Sequence, residues 1–370
     1  MEHPGKSKNR AGIDPGSPAR AQAQPPLAKA NSWWPPEWAP QERIWLAWPH
    51  RSDLWNGALR QVQYRIARIA LLLSRRTTVA FLSSAENCWS QQIQPMLESQ
   101  AGTVSECRLD AISWNRVATN DIWIRDYGPL CVRRRDGGEL WLDFRFNAWG
   151  AKYEPWDLDD RATALLAEEC AVGRQSFPFV LEGGALETNG SVLLAARDCI
   201  FEARRRLDLT ESELDQLLRQ QLGVAEIIWL PGILPGDDTD GHVDMYIRFA
   251  NRQQIVMAAC DREHPAWPML REARSHLESR CKEIGQPVQI IDLPLPPVLY
   301  QGNRILPRTY ANFLISNEQV LVPVYNCSTD ESALSIIAQV FNEYTVEAVY
   351  AGDLITEGGA IHCLSMPRFL

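Results

Sequence analysis

Three short stretches of this chain carry side chains able to move protons or attack carbon. The densest is Gly236-Asp237-Asp238-Thr239-Asp240-Gly241-His242-Val243-Asp244, four carboxylates and a histidine. Its first half reads as a turn or a calcium-type loop, but it lacks the alternation and the distal Glu of an EF-hand. The His242-x-Asp244 unit reads as the start of a strand running through Met245, Tyr246 and Ile247. Period two on a strand would put His242 and Asp244 on one face. A histidine beside a carboxylate suits proton transfer and cation binding. A solvated acidic loop with a capping histidine is the other reading, and the segment alone does not separate them.

The second stretch is Asn120-Asp121-Ile122-Trp123-Ile124-Arg125-Asp126-Tyr127-Gly128-Pro129. Arg125 and Asp126 close an apolar run before a Gly-Pro stop, which taken alone reads as a salt-bridged surface turn. The third is Glu357-Gly358-Gly359-Ala360-Ile361-His362-Cys363. A thiol so near the chain end is oddly placed for an inert core residue, and paired glycines permit close backbone approach to a ligand. A lone cysteine is usually structural. Cys, His and carboxylates together are what nucleophilic catalysis requires.

Alternating elements must hold these stretches in place. Residues 1–30 carry Pro, Lys, Arg, Gln and Ala with few large apolar side chains, the composition of a disordered tail; residues 31–370 read as one catalytic domain. Apolar residues at helical spacing (Val62, Ile66, Ile69, Leu72, Leu73) predict a helix over 58–75, with a strand at Thr78–Leu82. Thr210-Glu211-Ser212-Glu213 is a capping box, and Gly223 suits the end of that helix. A strand at Ile227–Leu230 follows. Asp244–Ala250 and Gln254–Ala259 predict a hairpin, then a helix near 265–282 and a strand at Val288–Ile291. Asn312–Ser316 with Val320–Tyr325, a helix at 331–343 and a strand at Thr345–Ala351 repeat the pattern. This hairpin–helix–strand rhythm is α/β without the plain strand–helix alternation of a doubly wound sheet. Glu182-Gly183-Gly184-Ala185 recurs as Glu357-Gly358-Gly359-Ala360, which reads as equivalent turns of two related units converging on one centre.

The chain has 370 residues, a net charge of −9 and nine cysteines. The charge argues against nucleic acid or an anionic membrane as partner, and no apolar run approaches the ~20 residues of a membrane span. The cysteines are scattered, with no C-x-x-C pair, and no H-x-x-x-H pair occurs among the six histidines. That favours reduced thiols in a cytoplasmic protein over a disulfide framework, with no metal site expected. Oligomeric state is not set by the sequence, and a homo-oligomer is compatible with it.

Taken together, Trp45-Leu46-Ala47-Trp48-Pro49, Asp121–Pro129, Phe146-Asn147-Ala148-Trp149-Gly150, Leu181–Gly184, Asp238–Asp244, Tyr310-Ala311-Asn312-Phe313 and Gly358–Cys363 resemble the agmatine deiminase family. It is related to the bacterial peptidylarginine deiminases of the guanidino-group-modifying superfamily. The resemblance runs from about residue 33 to the C-terminus. It implies a pentein fold, a five-bladed pseudo-symmetric α/β propeller of hairpin–helix–strand units. It implies hydrolysis of a guanidino group to a ureido group and ammonia, with agmatine and polyamine biosynthesis (putrescine) the expected context and no cofactor. Cys363 would be nucleophile and His242 acid/base, with Asp126 and Asp244 holding the guanidinium. Glu182 and Asp238 would be positioning carboxylates, and Trp123 and Trp149 channel walls. Two departures from the plant-type pattern, Leu364-Ser365-Met366-Pro367 after the cysteine and Ala151-Lys152-Tyr153 after Phe146–Gly150, are expected at the substrate entrance. Alternatives are arginine or peptidylarginine as substrate, an amidinotransferase, and a non-catalytic guanidine-binding protein.

Overall fold

Helix Leu59–Leu73 forms because Val62, Ile66, Ile69 and Leu73 make one apolar stripe, and all four are fully buried. A computed structural model describes residues 31–84 and 86–370; the tail expected over 1–30 lies outside them. Helix Glu211–Leu222 starts at the expected capping box. Thr210 Oγ1 accepts from the Glu213 amide, and the Glu213 carboxylate accepts from the Thr210 amide. It ends at Gly223, whose φ of +67° is a left-handed cap open to glycine.

Among the described residues, five of the six sheets share one connectivity. An antiparallel pair leads through a helix to a third strand, which pairs parallel to the second. Leu130–Arg134 and Glu139–Arg145 form the first pair; helix Asp159–Glu169 leads to Arg174–Val180. Leu186–Thr188, Val192–Ala196, helix Glu211–Leu222 and Glu226–Leu230 repeat it. So do Ile247–Phe249, Gln254–Ala259, helix Trp267–Glu283 and Gln289–Pro294, and Leu314–Ser316, Gln319–Val324, helix Asp330–Val340 and Thr345–Tyr350. The fifth unit joins the chain ends: Ser365–Phe369 pairs antiparallel with Gln41–Ala47, and helix Leu59–Leu73 leads to Thr78–Leu82. The middle strands are covered on both faces, so they read as continuous apolar runs; Gln319–Val324 is buried throughout.

After each unit's parallel strands the chain crosses to the next unit. These five crossings, 116–129, 181–185, 231–246, 295–313 and 351–364, carry the three chemistry-bearing stretches. Placing reactive side chains on connections beyond strand ends leaves the sheets free to be apolar.

Two expectations need correction. The predicted strand at Asp244–Ala250 begins only at Ile247. Residues Val243–Met245 form a 3-10 turn, so His242 and Asp244 do not share a face through strand alternation. The two Glu-Gly-Gly-Ala turns differ in shape. The first opens a 3-10 turn at Gly183, whereas Gly358 closes one with φ +93°. Both nevertheless end near the same centre.

Met366 and Phe369 of the last strand are buried. Removing residues 364–370 deletes the first partner of Gln41–Ala47 and about 2–5 kcal/mol per large core side chain, against a total stability of about 5–15 kcal/mol. The truncated protein is expected to lose its cooperative melting transition. A melting curve within a few degrees of the full chain would contradict this.

Candidate active site

Each crossing delivers one part of the site. The Asp126 carboxylate is fixed at both oxygens: Oδ1 accepts from the Gly184 amide at 3.0 Å, and Oδ2 from Trp149 Nε1 at 2.9 Å. Gly184 has to be glycine, since a Cβ there would lie 2.5 Å from His242 Nδ1 and 2.7 Å from Asp126 Oδ1. Trp149 reaches Asp126 from a left-handed turn in which Ala148, Trp149 and Ala151 all have positive φ. Such conformations cost non-glycine residues about 1–3 kcal/mol each and persist where the surroundings enforce them. The first two stretches therefore meet in the interior. Arg125 and Asp126 are buried, which overturns the surface-turn reading.

His242 is completely buried. Its Nε2 lies 3.0 Å from Glu182 Oε2 and its Nδ1 3.6 Å from Asp126 Oδ1. Burial alone would lower its pKa, but the Asp126 and Glu182 carboxylates and the Cys199 thiol outweigh that and hold it well above the ordinary value. Glu182 is in turn gripped by Arg205 through Nε and Nη2, which keeps its pKa low in spite of burial. Burial pushes the Asp126 pKa up to about 6; the His242 charge opposes the rise, and the Asp244 and Glu182 charges add to it.

Cys363 Sγ accepts from Asn312 Nδ2 at 3.0 Å and lies 3.6 Å from Asp244 Oδ2. Burial raises the thiol's pKa well above its ordinary value, and the Asp244 and Asp126 charges raise it further. Asp244 Oδ2 also accepts from His362 Nδ1 at 2.6 Å, while buried Oδ1 has no hydrogen-bond partner among the described residues. A buried, ionised, half-unsatisfied carboxylate is costly and is suited to receive a ligand's N–H.

A narrow slot reaches Cys363 between Asp126, Trp123, Trp149, Met245 and Gly359. Gly359 lies flat against Trp123, where a Cβ would come within 2.4 Å of the ring. The slot opens into an outer cavity of about 240 Å³. Trp123, Trp149, Tyr153, Asp238 and Glu357 line both. Asp238 accepts from Tyr153 Oη at 2.6 Å and pairs with Arg304 at 3.0 Å.

The structure thus brings Cys363, Asp244, Asp126 and His242 together. It sets Glu182 behind His242, away from the slot, and Asp238, Trp123 and Trp149 on the walls. Of the two expected entrance departures, only Tyr153 and Lys152 lie there. Residues 364–367 line neither cavity, and Ser365 and Met366 are buried in the last strand. Sequence reasoning missed Asn312, His362, Glu37 and Glu357 as site residues. Asn312, His362 and Glu357 lie inside the motifs above at positions that carried no weight of their own, and Glu37 is separated from the rest by most of the chain. Glu182, Cys199 and His242 offer metal-ligand atoms within 4.8 Å of one another, but the Arg205 guanidinium already occupies Glu182 as its cation.

Residues 33–368 match the Porphyromonas-type peptidyl-arginine deiminase family. The chain belongs to that family. A Shewanella baltica protein carrying the name "Putative agmatine deiminase" is 31% identical over 361 residues, covering 90% of this chain and 92% of its own. Among solved structures, a serine-for-cysteine variant of the C. jejuni agmatine deiminase with substrate bound superposes with a TM-score of 0.80 at 27% identity, covering 92% of this chain and 96% of that one. The Enterococcus faecalis agmatine deiminase gives 0.82 at 26% identity, covering 93% and 99%. This family member therefore has relatives of that name along nearly its whole described length.

Proposed function

We propose that this protein hydrolyses a guanidino group to a ureido group and ammonia, with agmatine as substrate, and that its five like units are the blades of a pseudo-fivefold propeller. The observation that carries the reaction is the site itself: a buried thiol between two buried carboxylates, one holding an unpaired oxygen, with a charged histidine beside the other. A guanidinium is a permanent planar cation that carboxylates bind with matched geometry. Placed between Asp126 and Asp244, it neutralises the charges that, together with burial, hold Cys363 protonated, so substrate binding itself promotes the thiolate, whose proton passes to solvent. Sulfur then bonds to the guanidinium carbon. His242, held as imidazolium, gives its proton to the departing nitrogen, which leaves as ammonia while an amidino-thioether cation remains on sulfur. Neutral His242 next takes a proton from water. The hydroxide adds to carbon, the C–S bond breaks with its electrons on sulfur, and the added hydroxyl gives its proton to that thiolate as the ureido product departs.

The outer cavity favours agmatine over arginine. Its cations are taken: Arg51 by Asp53, Lys152 by Asp240, Arg304 by Asp238. Among the described residues, Asp121 and Glu357 have no cationic partner within salt-bridge distance, and none donates a side-chain hydrogen bond to Glu357. A distal ammonium suits this rim, whereas a carboxylate finds no free cation among the described residues that line it. Burial pushes the Glu357 pKa up to about 7; nearby Arg304 opposes this, and Asp121 and Asp238 add to it. Glu357 is thus charged above pH 7, so the ratio of kcat/KM for agmatine to that for n-butylguanidine should rise from pH 6 to pH 8. Glu357→Gln should flatten that rise and cut the ratio about 2- to 5-fold, the size of one partly exposed charge contact. An unchanged ratio would remove Glu357 from substrate selection.

The deciding experiment measures ammonia release from agmatine, n-butylguanidine, arginine and a blocked arginyl peptide, with Cys363→Ala as control. Fastest release from agmatine is expected. No release from any of the four would end the hydrolase reading, and release only from the peptide would move it to peptidylarginine.

A further inference from the structure

Behind Cys363 a buried chain of charged and polar groups leads to Asp244, and no step above uses its other members. Glu37, from the segment leading into Gln41–Ala47, accepts from Arg125 Nη2 at 3.1 Å, Arg248 Nη2 at 2.8 Å and the Ile315 amide at 2.8 Å. Its Oε2 also lies 2.8 Å from His362 Nε2. The other ring nitrogen, Nδ1, lies 2.6 Å from Asp244 Oδ2. Burial works against ionisation at both carboxylates, but Arg248 and His362 at Glu37, and His362 at Asp244, keep both pKa values low. Asp244, held ionised, can only accept, so the Nδ1 facing it must donate, and the His362 ring is clamped at each end.

The clamp has a consequence for Asp244. A short charge-assisted bond fixes Oδ2, which leaves the rotation of the carboxylate no freedom and sets Oδ1 unpaired beside the nucleophile. The ring cannot turn, because Glu37 holds its far nitrogen and is itself fixed by two arginines and a backbone amide. The His362 amide is anchored as well, donating to Asn312 Oδ1 at 3.0 Å, and Asn312 also donates to the Cys363 sulfur.

We propose that His362 is a positioning residue whose Nδ1–H, braced from behind by Glu37, orients Asp244 so that its free oxygen meets the substrate guanidinium. The proposal rests on the guanidine reading above for the identity of the ligand, but not for the clamp itself. It predicts that the two ring nitrogens are not equivalent in effect. The amide of His362→Asn overlays Nδ1 and can still donate to Asp244. The longer amide of His362→Gln overlays Nε2, keeps the Glu37 contact and leaves Asp244 loose.

In a Cys363→Ala background, agmatine binding by calorimetry should weaken about 30-fold with His362→Gln and only about 3-fold with His362→Asn, the difference of one charge-assisted hydrogen bond. Equal losses in both, with equal falls in melting temperature, would reduce His362 to a packing residue and overturn the proposal. Histidine ¹⁵N NMR of the wild-type protein tests the clamp without any ligand, and so stands whether or not a guanidine binds. His362 Nδ1 should carry the proton that it gives to Asp244. An Nδ1 without a proton overturns the proposal even if both variants fail to fold.

Discussion

Cys363→Ala should abolish ammonia release, a fall of at least about 10⁴-fold, because no second thiol lies among the described residues of the slot and covalent catalysis has no partial substitute. The protein should otherwise be intact. The change removes one sulfur from a site that Asn312 and the backbone already shape, at a cost of about 1 kcal/mol, so melting should shift by only a few degrees. Agmatine should still bind, since Asp126 and Asp244 remain, and it should bind more tightly than to wild type at pH values where the wild-type thiol must give up its proton. A Cys363→Ala protein that turned over at even a hundredth of the wild-type rate would place the chemistry elsewhere. The same prediction separates two roles for the buried thiol. Cys199 is also fully buried, donating to Glu182 at 3.3 Å, with its pKa raised by burial and the Glu182 charge to about 12. It does not line the slot, and Cys199→Ala should leave the covalent step in place.

The fold was legible in the sequence wherever periodicity alone decides. Thr78–Leu82 matched residue for residue, and Thr210 and Gly223 bounded their helix as their chemistry dictates. Residues at the crossings between units were harder to read, because backbone there obeys tertiary contacts rather than a repeat. His242 and Asp244 were paired for the wrong reason. A 3-10 turn, not strand alternation, separates them, and they face different partners: Asp126 and Glu182 for one, His362 and Cys363 for the other. Glu37 was invisible because nothing local marks a glutamate between tryptophans as the hub of two arginines and a histidine. Glu182 could be nominated from its Gly-Gly turn, but its task, holding His242 from behind, depends on Arg205, which no motif contains. Local rules see strands and caps; they do not see which carboxylate a buried cation has already claimed.

That last distinction gives the second large effect. His242→Asn should lower kcat about 10³-fold, within the range of lost general acid–base catalysis, and should also move the pH profile. Asp126 must be ionised to hold a guanidinium, and its pKa stands at about 6 because burial raises it while the His242 charge restrains it. In the wild type, kcat/KM should therefore fall as pH drops through about 6. Removing the imidazolium removes the restraint and leaves burial and the charges of Asp244 and Glu182 acting unopposed, so the acid limb should shift to higher pH. Glu182 stays ionised in the variant, because Arg205 rather than His242 is its principal counter-charge; it therefore continues to raise the pKa of Asp126. A residue that served only as proton donor would lower kcat and leave the limb where it was. An unmoved limb would mean that Asp126 draws its charge balance from some other group, and His242 would keep only its acid–base part. A retained kcat would remove that part as well.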